Sequence, residues 1–444
     1  MEIKELSKIL QENGIVGAGG AGFPTYAKLD ERAETILLNC AECEPLLKLH
    51  RQLLEQHAYE ITKTFSMIAD VVDAKEAIIC IKKEYKATIA ALQQCVGEFP
   101  KVRIHLLDGV YPMGDEVVMI YEATRKVVRP GGLPIETGVA VFNVETVYNA
   151  YRALELNHPV TDKVVSVVAE VSKPVTVRVP LGCTIQDVVN LAGVTTTKDP
   201  VYFVGGPMMG NIGLADQPVT KTTNAILVLP KDHLIIQKKQ RKASIDLNRA
   251  ASICCQCQMC TDLCPRHALG HPIEPHKFMR SASNQDFQNT NVFINTMFCS
   301  SCGLCEMYSC PQGLAPRSLM ADYKMGLRKA GVKPPQGVVP APVRDEIREF
   351  RKAPEERLEA RLGLTKYNTD APLNDTVVPM STVKILLSQH IGAPAAAITA
   401  VGDVVEEGQM IAKPGNGLSV AIHASISGKV VEVTDRYIKI QRMN

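Results

Sequence analysis

Gly14-Ile-Val-Gly-Ala-Gly-Gly-Ala-Gly-Phe-Pro-Thr-Tyr-Ala-Lys-Leu29 places Gly17, Gly19 and Gly22 in the G-x-G-x-x-G spacing of a dinucleotide-binding turn. That fingerprint requires a buried strand immediately before it. Here Ile3, Leu6, Ile9 and Leu10 recur at helical spacing, so an amphipathic helix leads into the glycines and the classical Rossmann reading fails. With no linker before Gly14, this helix is expected to pack on its own domain and not to serve as a targeting or encapsulation peptide. The glycines then read as a phosphate cradle. Backbone N–H groups of such a turn can approach a phosphate closely, and Pro24 suits the first turn of a following helix whose N-terminus would favour an anion.

Outward from this loop the chain changes texture several times, as its 444 residues allow for roughly three domains. Thr35 to Asn39 (TILLN), Ala77 to Ile81 and Val139 to Asn143 read as buried strands alternating with helices, an α/β pattern over residues 1–160. Over 161–240, VVSVVAEV and VTVRVP predict a hairpin, TIQDVVNLAGV a short helix, and VYFVGG and AILVLP further strands, the order of a small β-grasp domain. Residues 241–330 are cysteine-rich and helical. In 331–378, four prolines precede RDEIREFRKAPEERLEARLG, which reads as a linker and an exposed, charged helix. From 379 to 444, Gly402, Gly408 and Gly428 punctuate alternating strands in the pattern of a barrel-sandwich hybrid. Lys413 there lacks the flanking residues of a carrier lysine, so the domain is expected to be structural or docking.

Composition narrows the function classes. A net charge of +2 lacks the basic excess that nucleic-acid binding usually shows. No run approaches the roughly 18 apolar residues of a membrane span, and MEIKELSKILQENG has no signal-peptide core, so a cytoplasmic protein is expected.

Nine of the fourteen cysteines lie between Cys254 and Cys310, whereas Cys80, Cys95 and Cys183 sit in apolar contexts and read as core. Cys254, Cys257, Cys260 and Cys264, followed by Pro265, match C-x2-C-x2-C-x3-C-P, the run that ligates [4Fe–4S] clusters in bacterial ferredoxins. Cys299, Cys302, Cys305 and Cys310, followed by Pro311, repeat it with one extra residue in the last gap. Three close thiolates wrap one face of a cubane and the distant fourth reaches a neighbouring cluster. On the two-cluster pattern, Cys254, Cys257, Cys260 and Cys310 would hold one cluster, and Cys264, Cys299, Cys302 and Cys305 the other. Structural zinc sites use two C-x2-C pairs, which these triplets do not fit. Cys255 is a spare thiol.

Two such clusters pass single electrons, so a hydride donor would need a converter, and a flavin supplies that chemistry. GAGGAGFPT with Lys28, NCAECEP (Asn39 to Pro45), YPMGDE (Tyr111 to Glu116) and VFNVET (Val141 to Thr146) resemble the four FMN-site segments of the NADH-oxidising flavin subunit of respiratory complex I, and still more the RnfC family. The resemblance implies FMN contacts at Gly17, Gly19, Gly20, Lys28, Asn39, Glu42, Tyr111, Gly114, Asn143 and Thr146. It places Phe23, Glu44 and Glu116 near the nicotinamide nucleotide. Ala18 and Ala41 stand where the complex I segments carry Arg and Asp.

RnfC proteins carry their barrel-sandwich domain before the flavin domain; here LLLSQHIGAP and HASISGKV follow the clusters. That order, with AECEPLLK, GGPMMG and CTDLCPRH, resembles the cobalamin reductase family of propanediol-utilising bacterial microcompartments. The resemblance implies an α/β multidomain chain: a complex I flavin-subunit-like FMN domain, a β-grasp (SLBB-like) domain, a helical two-[4Fe–4S] ferredoxin-like domain and a barrel-sandwich hybrid. It implies NADH as donor, FMN and two [4Fe–4S] clusters as cofactors, a corrinoid or an adenosyltransferase as acceptor, and a microcompartment shell protein as a possible partner. No D-x-H-x-x-G corrinoid motif occurs. Two alternatives stand beside this reading: an Rnf-like peripheral NADH:ferredoxin electron-transfer subunit, and a non-catalytic electron-transfer adaptor docked on a shell protein.

Overall fold

Helix α1 (Ile3–Glu12) buries Leu6 and Leu10 fully, with Ile3 and Ile9 at the margin of the same core, so the amphipathic stripe packs on its own domain. In the computed structural model, which describes residues 1–443, the glycine segment follows α1 and is pinched into a loop by a bridge between Val16 and Pro24. The helix expected after Pro24 does not form. Thr25–Lys28 makes a single 3-10 turn with Pro24 as its cap, because Leu29 is already extended and its side chain joins the core.

Strands and helices then alternate: β1 (Thr35–Cys40), α2 (Leu49–Gln56), α3 (Ala58–Val71), β2 (Glu76–Lys82), α4 (Lys86–Cys95), β3 (Val102–Leu107), the short β4 (Val110–Tyr111), α5 (Glu116–Thr124), β5 (Val139–Asn143) and α6 (Val144–Glu155). Four of the strands form a parallel sheet in the order β3-β2-β1-β5. Its central strands are apolar on both faces, since both are covered. Ile36, Leu38 and Ile79 enter one core, and Leu37, Ile78 and Val141 the other. The chain lays β2 and β3 to one side of β1 and β5 to the other. The reversal opens a crevice at the carboxyl ends of β1 and β5, where open α/β sheets bind ligands.

The next body is a β-grasp. A hairpin of β6 (Asp162–Ala169) and β7 (Val175–Pro180) is followed by α7 (Ile185–Leu191), β8 (Pro200–Val204), β9 (Asn211–Ile212) and β10 (Ala225–Pro230), which returns parallel to β6. After α8 (Leu234–Gln240), the cysteine-rich region is wholly helical: α9 (Ala243–Ile253), α10 (Met259–Asp262), α11 (Pro265–Ala268), α12 (Pro275–Ser283), α13 (Thr290–Ile294) and α14 (Pro316–Lys329). Phe278, Phe293 and Tyr323 hold α12, α13 and α14 together, with ring centroids 5.2 to 5.9 Å apart.

The charged segment after the prolines departs from the expected exposed helix. It forms α15 (Asp345–Arg348), β11 (Ala353–Pro354), α16 (Glu355–Arg361) and β12 (Leu373–Val377), and it straps three bodies together. β11 pairs with β4, and β12 adds an edge strand parallel to β7. Many of its charges stay exposed, but some are partnered inside: Glu355 with buried Lys82, Arg348 with Glu122 at 2.5 Å, and Asp375 with both His57 at 2.9 Å and Arg178 at 2.6 Å. A charge pattern read without its partners resembles a solvated face, which is why the strap was not visible in the sequence.

The remaining strands are β13 (Thr382–Leu386), β14 (Ala396–Ala397), β15 (Val404–Val405), β16 (Met410–Lys413), β17 (Ile422–His423), β18 (Gly428–Val433) and β19 (Tyr437–Gln441). They form two facing sheets, β13-β19-β18-β15 and β14-β16-β17, closed over Val383, Ile385, Ile411, Ile422, Val430 and Ile438. Lys413 is exposed. This barrel folds back onto the start of the chain: Ala421 N–H donates to Gln11 C=O (3.0 Å), Ile391 N–H to Gly22 C=O (3.3 Å), and Ser419 N–H to the Tyr26 hydroxyl (3.3 Å). Lys221 of the β-grasp, fully enclosed, donates to Gly14 C=O (2.6 Å) and Ala421 C=O (3.3 Å), so three bodies meet behind the glycine loop. Among the described residues no helix is long and apolar enough to cross a membrane.

Candidate functional site

The crevice between β1 and β5 is where the sequence-predicted residues converge. Asn39 and Asn143 end these strands and are register partners. Asn143 also caps α6, its side-chain oxygen accepting from the N–H groups of Glu145 (3.0 Å) and Thr146 (3.3 Å). The glycine loop lies against this helix start: Ala18 N–H donates to the Thr146 hydroxyl at 2.9 Å. A Cβ on Gly19 would fall 2.8 Å from Asn143 Nδ2 and 3.4 Å from His50 Cε1, so only glycine leaves this space open. The result is a cradle of backbone amides facing the N-terminus of a three-turn helix, the arrangement that suits a phosphate. Gly19 and Gly20 face solvent, while Gly17 N–H closes the loop onto Phe23 C=O (2.9 Å). Lys28 reaches beneath it and donates to Val141 C=O at 2.8 Å; burial pulls its pKa down, against the opposing field of Glu116.

The acidic turn is locked to neighbouring segments. Asn39 donates to Gly114 C=O (2.9 Å) and accepts from Ala41 N–H (3.2 Å), while Cys43 Sγ accepts from Gly114 N–H (3.2 Å). The Glu42 carboxylate accepts from His50 N–H (2.8 Å) and Arg51 N–H (3.3 Å) at the start of α2. Glu44 accepts from Met208 N–H (2.8 Å) and Met209 N–H (3.1 Å), in the GGPMMG loop of the β-grasp. Gly206 is required there, since a side chain would collide with the Glu44 carboxylate. Burial pushes the Glu44 carboxyl up to about 7, with the two amides favouring its charged form. Phe23 is half-buried, with Lys28 Nζ 5.9 Å from its ring centre, and Glu116 is exposed on the first turn of α5.

The second cysteine loop meets this crevice directly. The Tyr111 hydroxyl donates to Cys302 C=O at 2.5 Å. Cys254, Cys257, Cys260 and Cys310 line one cavity, together with Gln256, Gln258 and Pro311. Cys264, Cys299, Cys302 and Cys305 are neighbours in a second, more enclosed group. Both triplets use the same backbone device: the second and fourth residues after the first cysteine have positive φ, Gln256 and Gln258 in one loop, Ser301 and Gly303 in the other. The extra residue of the second motif is absorbed by a π-helical turn, Cys305–Ser309, where the first motif has α10. Burial, with neighbouring thiols adding to it, pushes Cys260 up to about 12; burial does the same to Cys264, against opposing hydrogen bonds. Such thiols become ligands when a metal displaces their protons. Four thiols around one space and four more close together are the number of donors two [4Fe–4S] clusters would need, and the Gly19 cradle suits a phosphate-bearing flavin.

Three stretches of the chain match known domain families: residues 10–152 the Nuo51 FMN-binding domain, 253–315 a 4Fe-4S dicluster domain, and 364–444 the RnfC barrel-sandwich hybrid domain. Cobalamin reductase PduS of Salmonella typhimurium is 40% identical over 440 residues, covering 99% of this chain and 96% of that protein. PduS of Citrobacter freundii is 40% identical over 431 residues, covering 97% and 94%. The chain belongs to the PduS cobalamin reductase family. It is an oxidoreductase with an FMN-binding domain and a [4Fe–4S] dicluster domain.

The sequence reading rests on four short segments and eight cysteines, and does not reach the contacts that join them. Arg266, in the CPRH that ends the first motif, makes a bidentate pair with Asp115 (2.9 to 3.1 Å), tying the cluster body to α5 of the flavin body. Its only sequence signal is its place two residues after Cys264. His50 beneath the glycine loop had none, because the carboxylates nearest it come from 8 and 95 residues away.

Proposed function

We propose that this protein is an NADH-dependent corrinoid reductase of the cobalamin reductase type, using FMN and two [4Fe–4S] clusters. Bound FMN would supply conversion between two-electron and one-electron chemistry, and the clusters one-electron carriage. In this reading Gly17, Gly19 and Gly20 cradle the FMN phosphate, Lys28, Asn143 and Thr146 fix that end of the site, and Asn39, Glu42, Tyr111 and Gly114 shape the flavin pocket. Phe23, Glu44 and Glu116 orient the nicotinamide nucleotide, with Glu44 placed by the GGPMMG loop. Cys254, Cys257, Cys260 and Cys310 hold one cluster; Cys264, Cys299, Cys302 and Cys305 hold the other. The acceptor is cob(III)alamin or cob(II)alamin, free or presented by an adenosyltransferase. The protein works inside a bacterial microcompartment, where a shell protein would be its docking partner.

The observation that carries this reading is the contact from Tyr111 to Cys302. A residue of the flavin-site segment hydrogen-bonds the loop between two ligand cysteines, so donor and acceptor groups would share one covalent and hydrogen-bonded framework. The near full-length similarity to two cobalamin reductases supports the choice of acceptor. Anaerobic protein mixed with NADH, and offered cob(III)alamin, cob(II)alamin, ferredoxin and free flavin in parallel, tests it. Preferential reduction of the corrinoid is expected. Preference for ferredoxin would favour an Rnf-like role, and flavin and clusters left oxidised by NADH would make the protein an adaptor.

A further inference from the structure

His50 is a buried imidazole without a hydrogen-bond partner at its Nε2, held directly beneath the glycine loop. It is 8% exposed. Its Nδ1 lies 3.8 Å from the Glu42 carboxylate and its Nε2 lies 3.7 Å from Glu145, both beyond hydrogen-bonding reach. Buried polar nitrogens are almost always satisfied, and an orphan points to a group that binds there. The imidazole edge comes within 3.4 Å of the space left by the missing Cβ of Gly19, beside the amide of Asn143 and the N-terminus of α6. Glu42 is already engaged as the cap of α2, and Glu145 is paired with Lys163, so neither carboxylate is free to claim the imidazole. Lys163 and His50 outweigh the effect of burial and hold the Glu145 carboxyl down to about 2, so it stays charged.

We infer that His50 is a phosphate-anchoring residue of the flavin site, donating from its imidazole to the FMN phosphate across the gap at Gly19. The inference rests on the flavin reading above. It assigns to the chain an anchor, supplied by the start of α2, that lies outside the four segments carrying the family resemblance.

Riboflavin, which lacks the phosphate, separates anchoring from a structural role. Wild-type, His50→Leu and His50→Gln proteins, freed of flavin anaerobically, are titrated with FMN and with riboflavin by quenching of flavin fluorescence, and melted without flavin. His50→Leu is expected to weaken FMN by about 10- to 100-fold, the loss of one charge-assisted hydrogen bond. Its riboflavin affinity should stay unchanged, and His50→Gln, which keeps a neutral donor, should fall between. If His50→Leu does not fold, the ratio of FMN to riboflavin affinity in His50→Gln must still drop. An unchanged ratio in variants of a wild-type protein that binds FMN overturns the anchor alone. A wild-type protein that binds neither flavin overturns the flavin reading and the anchor with it.

Discussion

Asn39 and Asn143 stand side by side as the last residues of parallel register between β1 and β5, yet their side chains do different work. Asn39 ties the acidic turn to Gly114, and Asn143 caps the helix that faces the glycine loop. The two together fix the mouth of the crevice.

That division makes Asn143 separable into two functions. Asn143→Ala removes the cap and should cost about 1 kcal/mol of stability. Asn143→Asp keeps the cap but places a carboxylate where the cradle favours an anion, so FMN should bind at least roughly tenfold more weakly with little change in melting. Thermal denaturation and FMN titration on both variants check this; equal flavin affinity in Asn143→Asp and wild type would detach the cap from the binding site.

The cysteine grouping predicts which substitutions are equivalent. Cys310→Ser should remove the same cluster as Cys257→Ser, and Cys264→Ser the same one as Cys302→Ser, although each pair spans both motifs. Iron should fall from about eight to about four atoms per chain in each case. Electron paramagnetic resonance of the reduced proteins would then sort the four variants into two spectral pairs. Pairing by motif instead would refute the crossed arrangement.

Glu44 gives a pH dependence with a definite sign. Its carboxyl sits near 7 in the folded protein, above the ordinary value of 4.5, because burial outweighs the Met208 and Met209 amides and the fields of Lys239 and Arg317. Between these values the native state holds a proton the unfolded chain has lost. This component of stability is complete below pH 4.5 and is lost as pH rises to about 7. The slope is at most about 1.4 kcal/mol per pH unit, and Glu44→Gln should lack it. Urea unfolding of both proteins from pH 5 to 8 measures the difference, and parallel curves would argue against it.

Arg266 and Asp115 should act as a unit. The Asp115 carboxylate is largely buried and also caps α5, so Arg266→Ala strands it and is expected to cost roughly 3–5 kcal/mol. Arg266→Lys should rescue only partly, because an ammonium cannot reproduce the two-pronged pairing. A double-mutant cycle with Asp115→Asn, read by unfolding and by protease nicking after Cys264, would show the coupling.

The sequence carried those parts of the site whose chemistry is local. Helical spacing at Ile3, Leu6, Ile9 and Leu10 was enough to exclude the Rossmann turn, and cysteine spacing was enough to find both cluster loops. The apolar runs at Thr35 and Val139 located the two strands that frame the crevice. What stayed hidden depends on partners far along the chain. Lys82 reads as the end of a strand until Glu355 is placed against it, and Asp375 reads as loop until His57 and Arg178 close on it. The 3-10 turn after Pro24 was missed because the pull of Leu29 into the core is a tertiary effect, and the π-helical turn because one inserted residue can be absorbed in several ways.

The barrel that braces the glycine loop has a consequence for biosynthesis. Gln11, Gly22 and Tyr26 share hydrogen bonds with Ile391, Ser419 and Ala421, which are made roughly 400 residues later in translation. The Lys221 bridge is likewise complete only when Ala421 arrives. A ribosome will have made the parallel sheet and both cluster loops before the barrel holds the flavin loop from behind. A product truncated before residue 391 would keep every predicted flavin ligand, but its glycine loop would be held from behind by Lys221 alone.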